Sequence, residues 1–173
     1  IGAFDGNVDD DLRSLIKTHR LRGVLVEPQP AAFARLQQTY RDQPQLTLLP
    51  VAIAERQGVR NLYCKRCEPT MLASFDREHL RRHNIPLHQI VTQQVACHTV
   101  ESALRAAGRS DVDFIQIDAE GYDWPIIRSI DFASPHRLTN ASRSSSRISS
   151  SVTAWVDPDT PPHSTFASLI AIT

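Results

Sequence analysis

Apolar residues along positions 1–133 follow two alternating patterns, short continuous runs and stripes at helical spacing. The continuous runs carry β-branched residues and end at acids, prolines or polar turns, which is typical of strands. They predict strands at 23–28, 46–53, 59–64, 90–97 and 112–118. Within the second run, Pro50 indicates that regular strand pairing ends at that residue.

Stripes of apolar residues three or four positions apart predict helices between these strands. The predicted helices cover 28–42, 76–83, 100–108 and 122–130. Pro30 and Pro125 suit the first turns of their helices, since their missing N–H groups are not needed there. Thr99 suits a helix cap and Gly108 a helix end. Alternating strands and helices predict an α/β domain with a parallel, doubly wound sheet.

The composition changes abruptly at Ser134. Seven serines lie within 142–151, interleaved with arginine, and three prolines follow within 156–164. Such a segment buries too little apolar surface to offset the entropy of ordering. We therefore divide the chain into a domain at 1–133 and a low-complexity tail at 134–173. We expect the tail to be disordered or aberrant, as it would be after a shift of the coding frame.

The bulk composition excludes several classes of partner. The 173 residues include 19 basic and 19 acidic side chains, so the formal net charge is zero and no nucleic-acid partner is expected. No apolar run approaches the ~18 residues of a membrane span, so no membrane partner is expected either. Three cysteines make no disulfide framework, which favours a reducing, cytoplasmic compartment.

Two of these cysteines, Cys64 and Cys67, have the spacing of half a zinc site. The pair Cys97 and His98 offers the only further ligands, at a spacing that does not match. Ordinary thiols are therefore favoured over a metal site.

Candidate chemistry lies at the carboxyl ends of the predicted strands, where open α/β sheets bind their ligands. Gly2 and Gly6 precede a helical pattern and let backbone N–H groups approach a ligand. Glu27 ends a strand 21 residues after Gly6, a separation that suits a carboxylate holding the two ribose hydroxyls. Asp118 and Glu120 end another strand. In this order, the features indicate an adenosine-containing ligand.

The glycine loop distinguishes between two such ligands. A nicotinamide site favours the GxGxxG pattern, but Phe4 stands where its second glycine would be. The broader loop from Gly2 to Gly6 suits S-adenosylmethionine better. A nicotinamide-dependent oxidoreductase stays as an alternative.

The chain resembles the FkbM-type S-adenosylmethionine-dependent methyltransferases over residues 1–133. Five blocks carry the resemblance in family order: IGAFDGNVDD, LVEPQPAAFARL, PVAIAERQGVRNLY, LASFDREHL and FIQIDAEGYDWPIIRSIDF. The resemblance implies a Rossmann-like class I methyltransferase fold with S-adenosylmethionine as the cofactor. It also implies methyl transfer, commonly to an oxygen of a small-molecule or sugar-containing (glycan-type) acceptor.

The resemblance also assigns roles to individual residues. The methionine end of the cofactor would be lined by Gly2, Ala3, Asp5 and Gly6. Glu27 would hold the ribose with Pro28 beside it, and the stretch 51–53, centred on Ala52, would pass the adenine. Asp118 and Glu120 would face the donor methyl group and the acceptor, as the catalytic pair. Acids there suit a sulfonium cation, and one of them can orient or deprotonate an acceptor hydroxyl.

Two departures from the family pattern bear on activity. Family members usually carry an acid just before the glycine loop and further strands after the last block, so we expect a truncated N-terminus and a sheet that is incomplete at both ends. A non-catalytic remnant of such an enzyme is therefore an alternative.

The carboxylates of Asp118, Glu120 and Asp123 also permit a divalent metal site. We favour a role of these acids in positioning the cofactor and the acceptor over a metal site.

Overall fold

The computed structural model describes residues 1–7, 12–110, 112, 114–131 and 171–172. The helices are α1 (Arg13–His19), α2 (Pro30–Thr39), α3 (Arg77–Arg82), α4 (Val100–Ala106), α5 (Asp123–Ser129) and a 3-10 turn at Leu87–Gln89. The strands are β1 (Gly23–Val26), β2 (Leu46–Leu49), β3 (Ala52–Ile53), β4 (Gly58–Lys65), β5 (Ile90–His98) and β6 (Ala171–Ile172). Apart from β6, the predicted tail lies outside the described residues. No helix within these ranges is long and apolar enough to cross a bilayer.

The first sheet has the strand order β2-β1-β6. Strand β1 pairs in parallel with β2, from Gly23 opposite Leu46 to Val26 opposite Leu49, and antiparallel with β6. Strand β1 is buried throughout, because alternate side chains enter different cores. Val24 and Val26 pack in a core with α4, α5 and the segment 112–117, whereas Leu25 packs against α1 and α2.

The second sheet has the order β3-β5-β4. Strands β4 and β5 form a long antiparallel ladder from Gly58 opposite Cys97 to Lys65 opposite Ile90, and β3 pairs in parallel with the end of β5. The inner face of this ladder makes a third core, which contains Leu62 and Val95. The fold is therefore mixed α/β with two small sheets.

This arrangement corrects the expectation of one wholly parallel sheet. The apolar run 46–53 divides into β2 and β3, which belong to different sheets. Pro50 stands between them, and a proline has no N–H to continue a ladder. The break predicted at Pro50 is confirmed, and the expected parallel pairing holds for β1 with β2 and for β3 with β5 but not for β4 with β5.

The predicted strand at 112–118 is not a regular strand over its described residues. Val112, Ile115 and Ile117 are nevertheless buried in the core beside β1, whereas Phe114 is exposed. Backbone bonds tie this segment to the start of the chain. The nitrogen of Ile1 donates to the carbonyl of Gln116 (2.9 Å), and the N–H of Asp118 donates to the carbonyl of Ile1 (3.1 Å).

Candidate functional site

A pocket opens between the two sheets, at the carboxyl end of β1. Its walls come from four parts of the chain that are far apart in sequence: the first residues, the end of β1 with the following loop, the second sheet with the loop 71–75, and the segment 116–122. The residues that line it are Ile1, Gly2, Ala3, Phe4, Leu25, Val26, Glu27, Pro28, Gln29, Val51, Ala52, Ile53, Leu62, Met71, Ala73, Ser74, Phe75, Gln116, Asp118, Ala119, Glu120 and Tyr122.

Gly2 occupies a place where a side chain does not fit. The N–H groups of Gly2 and Ala3 both donate to the carbonyl of Val26 (3.0 Å each), so the first residues run beside β1. Gly2 has a φ of +75°, and a Cβ built on it would lie 1.9 Å from the carbonyl oxygen of Asp118. The glycine therefore lets the first residues pass directly against the segment that bears Asp118.

Gly6 and Asp5 do not line this pocket. Gly6 has a φ of +64°. A Cβ built on it would lie 2.4 Å from the ring of Tyr40, the residue that follows the last turn of α2. The side chain of Asp5 is 9% exposed and accepts a hydrogen bond from the N–H of Asn7 (2.9 Å). The hydroxyl of Thr39 donates to the carbonyl of Asp5 (2.8 Å). In this structure both residues shape the turn that packs on α2.

Glu27 places a buried carboxylate in the pocket wall, with only 2% of the residue exposed. The backbone N–H of Phe4 donates to Oε2 (3.0 Å) and that of Gln29 donates to Oε1 (2.8 Å). Burial raises the pKa of Glu27, and these two donors act against that rise. The side chain of Gln29 also bonds the N–H and carbonyl of Thr70 (3.0 and 2.9 Å). The carboxylate is thus held rigidly between two loops.

Apolar side chains form the part of the pocket beyond Glu27. Ala52 and Ile53 on β3, which are 5% and 3% exposed, face Met71 and Phe75 from the loop before α3. Leu62 on β4 forms the floor between them. This slot has the chemistry that a flat aromatic ring requires.

Two carboxylates, Asp118 and Glu120, line the pocket from the segment 118–123, and a third, Asp123, lies in the same segment. Asp118 is an exposed residue, but the pocket walls exclude part of the solvent around its carboxylate. This partial burial raises its pKa, and the charge of Asp123 raises it further. Asp123 accepts a hydrogen bond from the N–H of Ala119 at Oδ1 (2.9 Å), which fixes the turn between them. Burial and then the charge of Asp118 raise the pKa of Glu120 to about 7.

The backbone at Glu120 is strained. Its φ is +46°, in the left-handed region that side chains other than glycine rarely adopt. The buried hydroxyl of Ser74 donates to the Glu120 carbonyl (2.8 Å) and holds this conformation from the opposite wall. Strain of this kind clusters at functional sites, where the surrounding structure maintains it.

His79, on helix α3, touches the carboxylate of Glu120. Its Nε2 atom lies 2.9 Å from Oε2 of Glu120. The contact is off the N–H axis, so among the described residues Nε2 is a buried nitrogen with no aligned hydrogen-bond partner. Burial, followed by the charges of His83 and Arg82, lowers the pKa of His79. These surroundings therefore disfavour the charged form of the imidazole.

A second cluster closes the wall beside Phe75. The guanidinium of Arg60 lies over the rings of Phe75 (4.3 Å) and Tyr122 (4.7 Å), which meet edge to face at 4.9 Å. Arg60 donates to the hydroxyl of Tyr122, and that hydroxyl donates to Glu55. Because these contacts cross-link β4 to the segment 118–122, they keep the aromatic wall in place.

The structure brings most of the predicted site residues together. Those that line one pocket are Gly2, Ala3, Glu27, Pro28, Ala52, Asp118 and Glu120, whereas Asp5 and Gly6 lie behind it. No site role was predicted for Gln29, Ser74, Phe75 or His79, although all four stand within the resemblance blocks. Tyr122 stands within the last resemblance block and was open to identification there.

The metal alternative has no support in the described part of the chain. No group of three or more His, Cys, Asp or Glu side chains there is placed to hold a metal ion. Cys64 is buried on β4, whereas Cys67 is exposed. The pocket residues combine the buried carboxylate of Glu27, an apolar slot and the acids Asp118 and Glu120 around one cavity.

Comparison with known proteins identifies a family. The family model described as the methyltransferase FkbM domain matches residues 1–148. No curated protein and no solved structure matches the chain.

Proposed function

The chain belongs to the FkbM methyltransferase family, and from this premise we propose that it transfers a methyl group from S-adenosylmethionine to an oxygen atom. The acceptor in this proposal is a small-molecule or sugar-containing compound. The observation that carries the proposal is the pocket itself, because one cavity brings together a buried acid for the ribose, an apolar slot for the adenine and an acidic wall for the sulfonium.

In this proposal Glu27 binds the two ribose hydroxyls. Phe4 and Gln29 hold its carboxylate in place through their backbone N–H groups, so little side-chain entropy is lost when the ligand binds. Ala52 and Phe75 on opposite walls enclose the adenine. Gly2 and Ala3 border the methionine end, next to Asp118.

We extend the proposal to the architecture, as a doubly wound sheet of Rossmann-like type. Two sets of backbone bonds support it. The nitrogens of Gly2 and Ala3 bond the end of β1, and Ile1 exchanges bonds with Gln116 and Asp118 in the alternating pattern of parallel neighbours. In this arrangement the first residues lie between β1 and the segment 115–118, which puts the pocket at a switch point of the sheet.

The bound cofactor supplies an electrophilic methyl group on a positively charged sulfur. The chain's own residues have two tasks. They hold the acceptor oxygen in line with the methyl carbon, which is catalysis by proximity and orientation. The acids at 118 and 120 stabilise positive charge and can take the proton of an acceptor hydroxyl.

The proposal places the protein in a reducing, cytoplasmic setting without nucleic-acid or membrane partners. Burial raises the pKa of Cys64 to about 11 and also raises that of Cys97, so both are inert thiols rather than thiolates. The balanced charge of the chain supports the same setting, because it provides no electrostatic attraction for polyanions.

Direct binding tests the proposal against its two alternatives. Equilibrium dialysis with radiolabelled S-adenosylmethionine is expected to show one bound molecule per chain, displaced by S-adenosylhomocysteine and not by NADH. Displacement by NADH would favour the nicotinamide-dependent oxidoreductase. A folded chain that binds no label would favour the non-catalytic remnant.

A further inference from the structure

Glu120 lines the pocket with its side chain 23% exposed, and among the described residues the basic group within 4 Å of its carboxylate is His79. Glu120 shares the segment 118–123 with two other acids, Asp118 and Asp123, and both raise its pKa further after burial has done so. His83 lowers the pKa of Glu120 and so favours its ionised form, but this effect is smaller than the opposing effects of burial and of Asp118. The pocket therefore opposes a negative charge at this position as long as it holds no cation.

Helix α3 faces Glu120 from the other side and does not supply that cation. His79 makes the close contact, at 2.9 Å, but burial and the charges of His83 and Arg82 lower its pKa and disfavour its cationic form. The ring of His83 lies 4.4 Å from that of His79, on the exposed side of the helix. Asp76 and Asp123 favour the charged imidazole, but their influence on His79 is smaller than that of burial.

We propose that Glu120 carries a proton in the ligand-free pocket, releases it to solvent when the sulfonium cofactor binds, and then acts as the base for the acceptor hydroxyl. This inference rests on the proposed function and adds a role for one residue. The physical reason is that a cation placed beside the acids at 118 and 120 favours the ionised form of each. His79 lies against this carboxyl group, with its Nε2 atom 2.9 Å from Oε2.

The proton and electron balance of a turnover is complete. On transfer, the acceptor O–H bond breaks and its proton passes to a carboxylate oxygen of Glu120. The acceptor oxygen forms a bond to the methyl carbon, and the pair from the broken S–C bond stays on sulfur. One carboxylate and one sulfonium charge are lost together, so Glu120 is again protonated beside a neutral thioether.

The inference also specifies the acceptor group. A hydroxyl loses its proton only to a base that is close by and ionised, and Glu120 would meet both conditions only after the methyl donor has bound. An acceptor carboxylate, which has no proton to lose, would gain nothing from this arrangement and would be repelled by the three acids. The pocket therefore selects a neutral alcohol.

Isothermal titration calorimetry tests the proton release without any acceptor. The full chain is titrated at pH 7 with S-adenosylmethionine or S-adenosylhomocysteine, in buffers of different ionisation enthalpy. With the pKa of Glu120 at about 7, the cationic ligand should release about half a proton more than the neutral one. This excess should vanish by about pH 9, where Glu120 is already ionised.

Two variants locate the proton. Glu120→Gln should bind both ligands and abolish the excess, whereas Glu78→Gln should retain it. Glu78 is the matched control because it lies on α3, is exposed and pairs with Arg81. An equal release for both ligands, or an excess that persists in Glu120→Gln, overturns the inference and leaves the proposed function intact. Failure of the wild-type chain to bind either ligand overturns the proposed function instead.

Discussion

At the scale of single residues, Gly2 and Gly6 share one motif but meet different neighbours. The sequence assigned both to a ligand loop, yet Gly2 abuts the carbonyl of Asp118 and Gly6 abuts the Tyr40 ring. A glycine motif indicates positions where a side chain does not fit, but it does not indicate which neighbouring atoms exclude that side chain. Only the packing of α2 on the loop shows that Gly6 is a structural requirement.

Replacement of Gly2 by alanine should reduce cofactor binding more than tenfold and destabilise the fold by about 2 kcal/mol or more, because backbone atoms must move apart. Gly108→Ala is the matched control. Its φ of +67° is close to the +75° of Gly2, but a Cβ there meets no atom within 4 Å. The control should lose only about 1 kcal/mol, the cost of the left-handed conformation, in urea unfolding. Equal losses in the two variants would show that the approach to Asp118 is not tight.

Glu120 should make stability depend on pH. Its pKa rises from 4.5 in the unfolded chain to about 7 in the folded one, so the folded chain binds the proton more tightly. The resulting stabilisation is complete below about pH 4.5 and is lost as the pH rises through about 7. Glu120→Gln, which cannot ionise, should therefore be more stable than wild type at pH 8 by roughly 1–2 kcal/mol, and close to it at pH 5.

Urea unfolding of wild type and variant at the two pH values measures this difference. The exposed Glu78→Gln substitution should show no comparable gain at pH 8. A Glu120→Gln variant that loses as much stability at pH 8 as at pH 5 would contradict this prediction. It would mean that other groups of the folded chain stabilise the ionised carboxylate.

At the scale of elements, the helices were predictable because their signals are local. The cap at Thr99, whose hydroxyl accepts from the N–H of Ser102, and the proline at the start of α2 both appear where the sequence indicated. Sheet pairing was not predictable to the same degree. Whether β4 pairs parallel or antiparallel with β5 depends on contacts between residues far apart in sequence. The apolar run at 112–118 likewise indicates burial, but it does not reveal whether a neighbour completes its ladder.

Helix α3 matters to the site because it carries His79, and its start depends on Asp76. The carboxylate of Asp76 accepts from the N–H of Glu78 (2.9 Å). Asp76→Ala should lower the free energy of unfolding by about 1 kcal/mol, whereas Asp76→Asn, which preserves the capping oxygen, should lose much less. Chemical denaturation of the two variants distinguishes them. Equal losses would assign the effect to the ion pair with Arg82 rather than to the cap.

At the scale of the whole molecule, the pocket joins segments that the chain separates widely. The rule that ligands bind at the carboxyl ends of strands was enough to group Gly2, Glu27 and Asp118 in advance, and the family resemblance added Ala52. It could not supply Phe75, which reaches the pocket only because the loop before α3 folds back onto β4. Its backbone neighbour Ser74 pairs there with Tyr63.

The central claim is that this pocket binds S-adenosylmethionine through the buried acid Glu27. The most direct measurement is the dissociation constant of the cofactor for wild type, Glu27→Ala and Glu68→Ala by calorimetric titration. Loss of a charged hydrogen-bond partner should weaken binding about tenfold to a hundredfold in Glu27→Ala. Glu68 is exposed and lies outside the pocket, so its variant should bind like wild type.

Thermal unfolding and a Glu27→Gln variant separate this effect from misfolding. Glutamine keeps an oxygen that can accept from Phe4 or Gln29 but loses the charge, so it should fold and bind with intermediate affinity. A graded loss in the order glutamate, glutamine, alanine, in chains that all unfold cooperatively, is the result we predict. Unchanged affinity in a folded Glu27→Ala chain would contradict the claim.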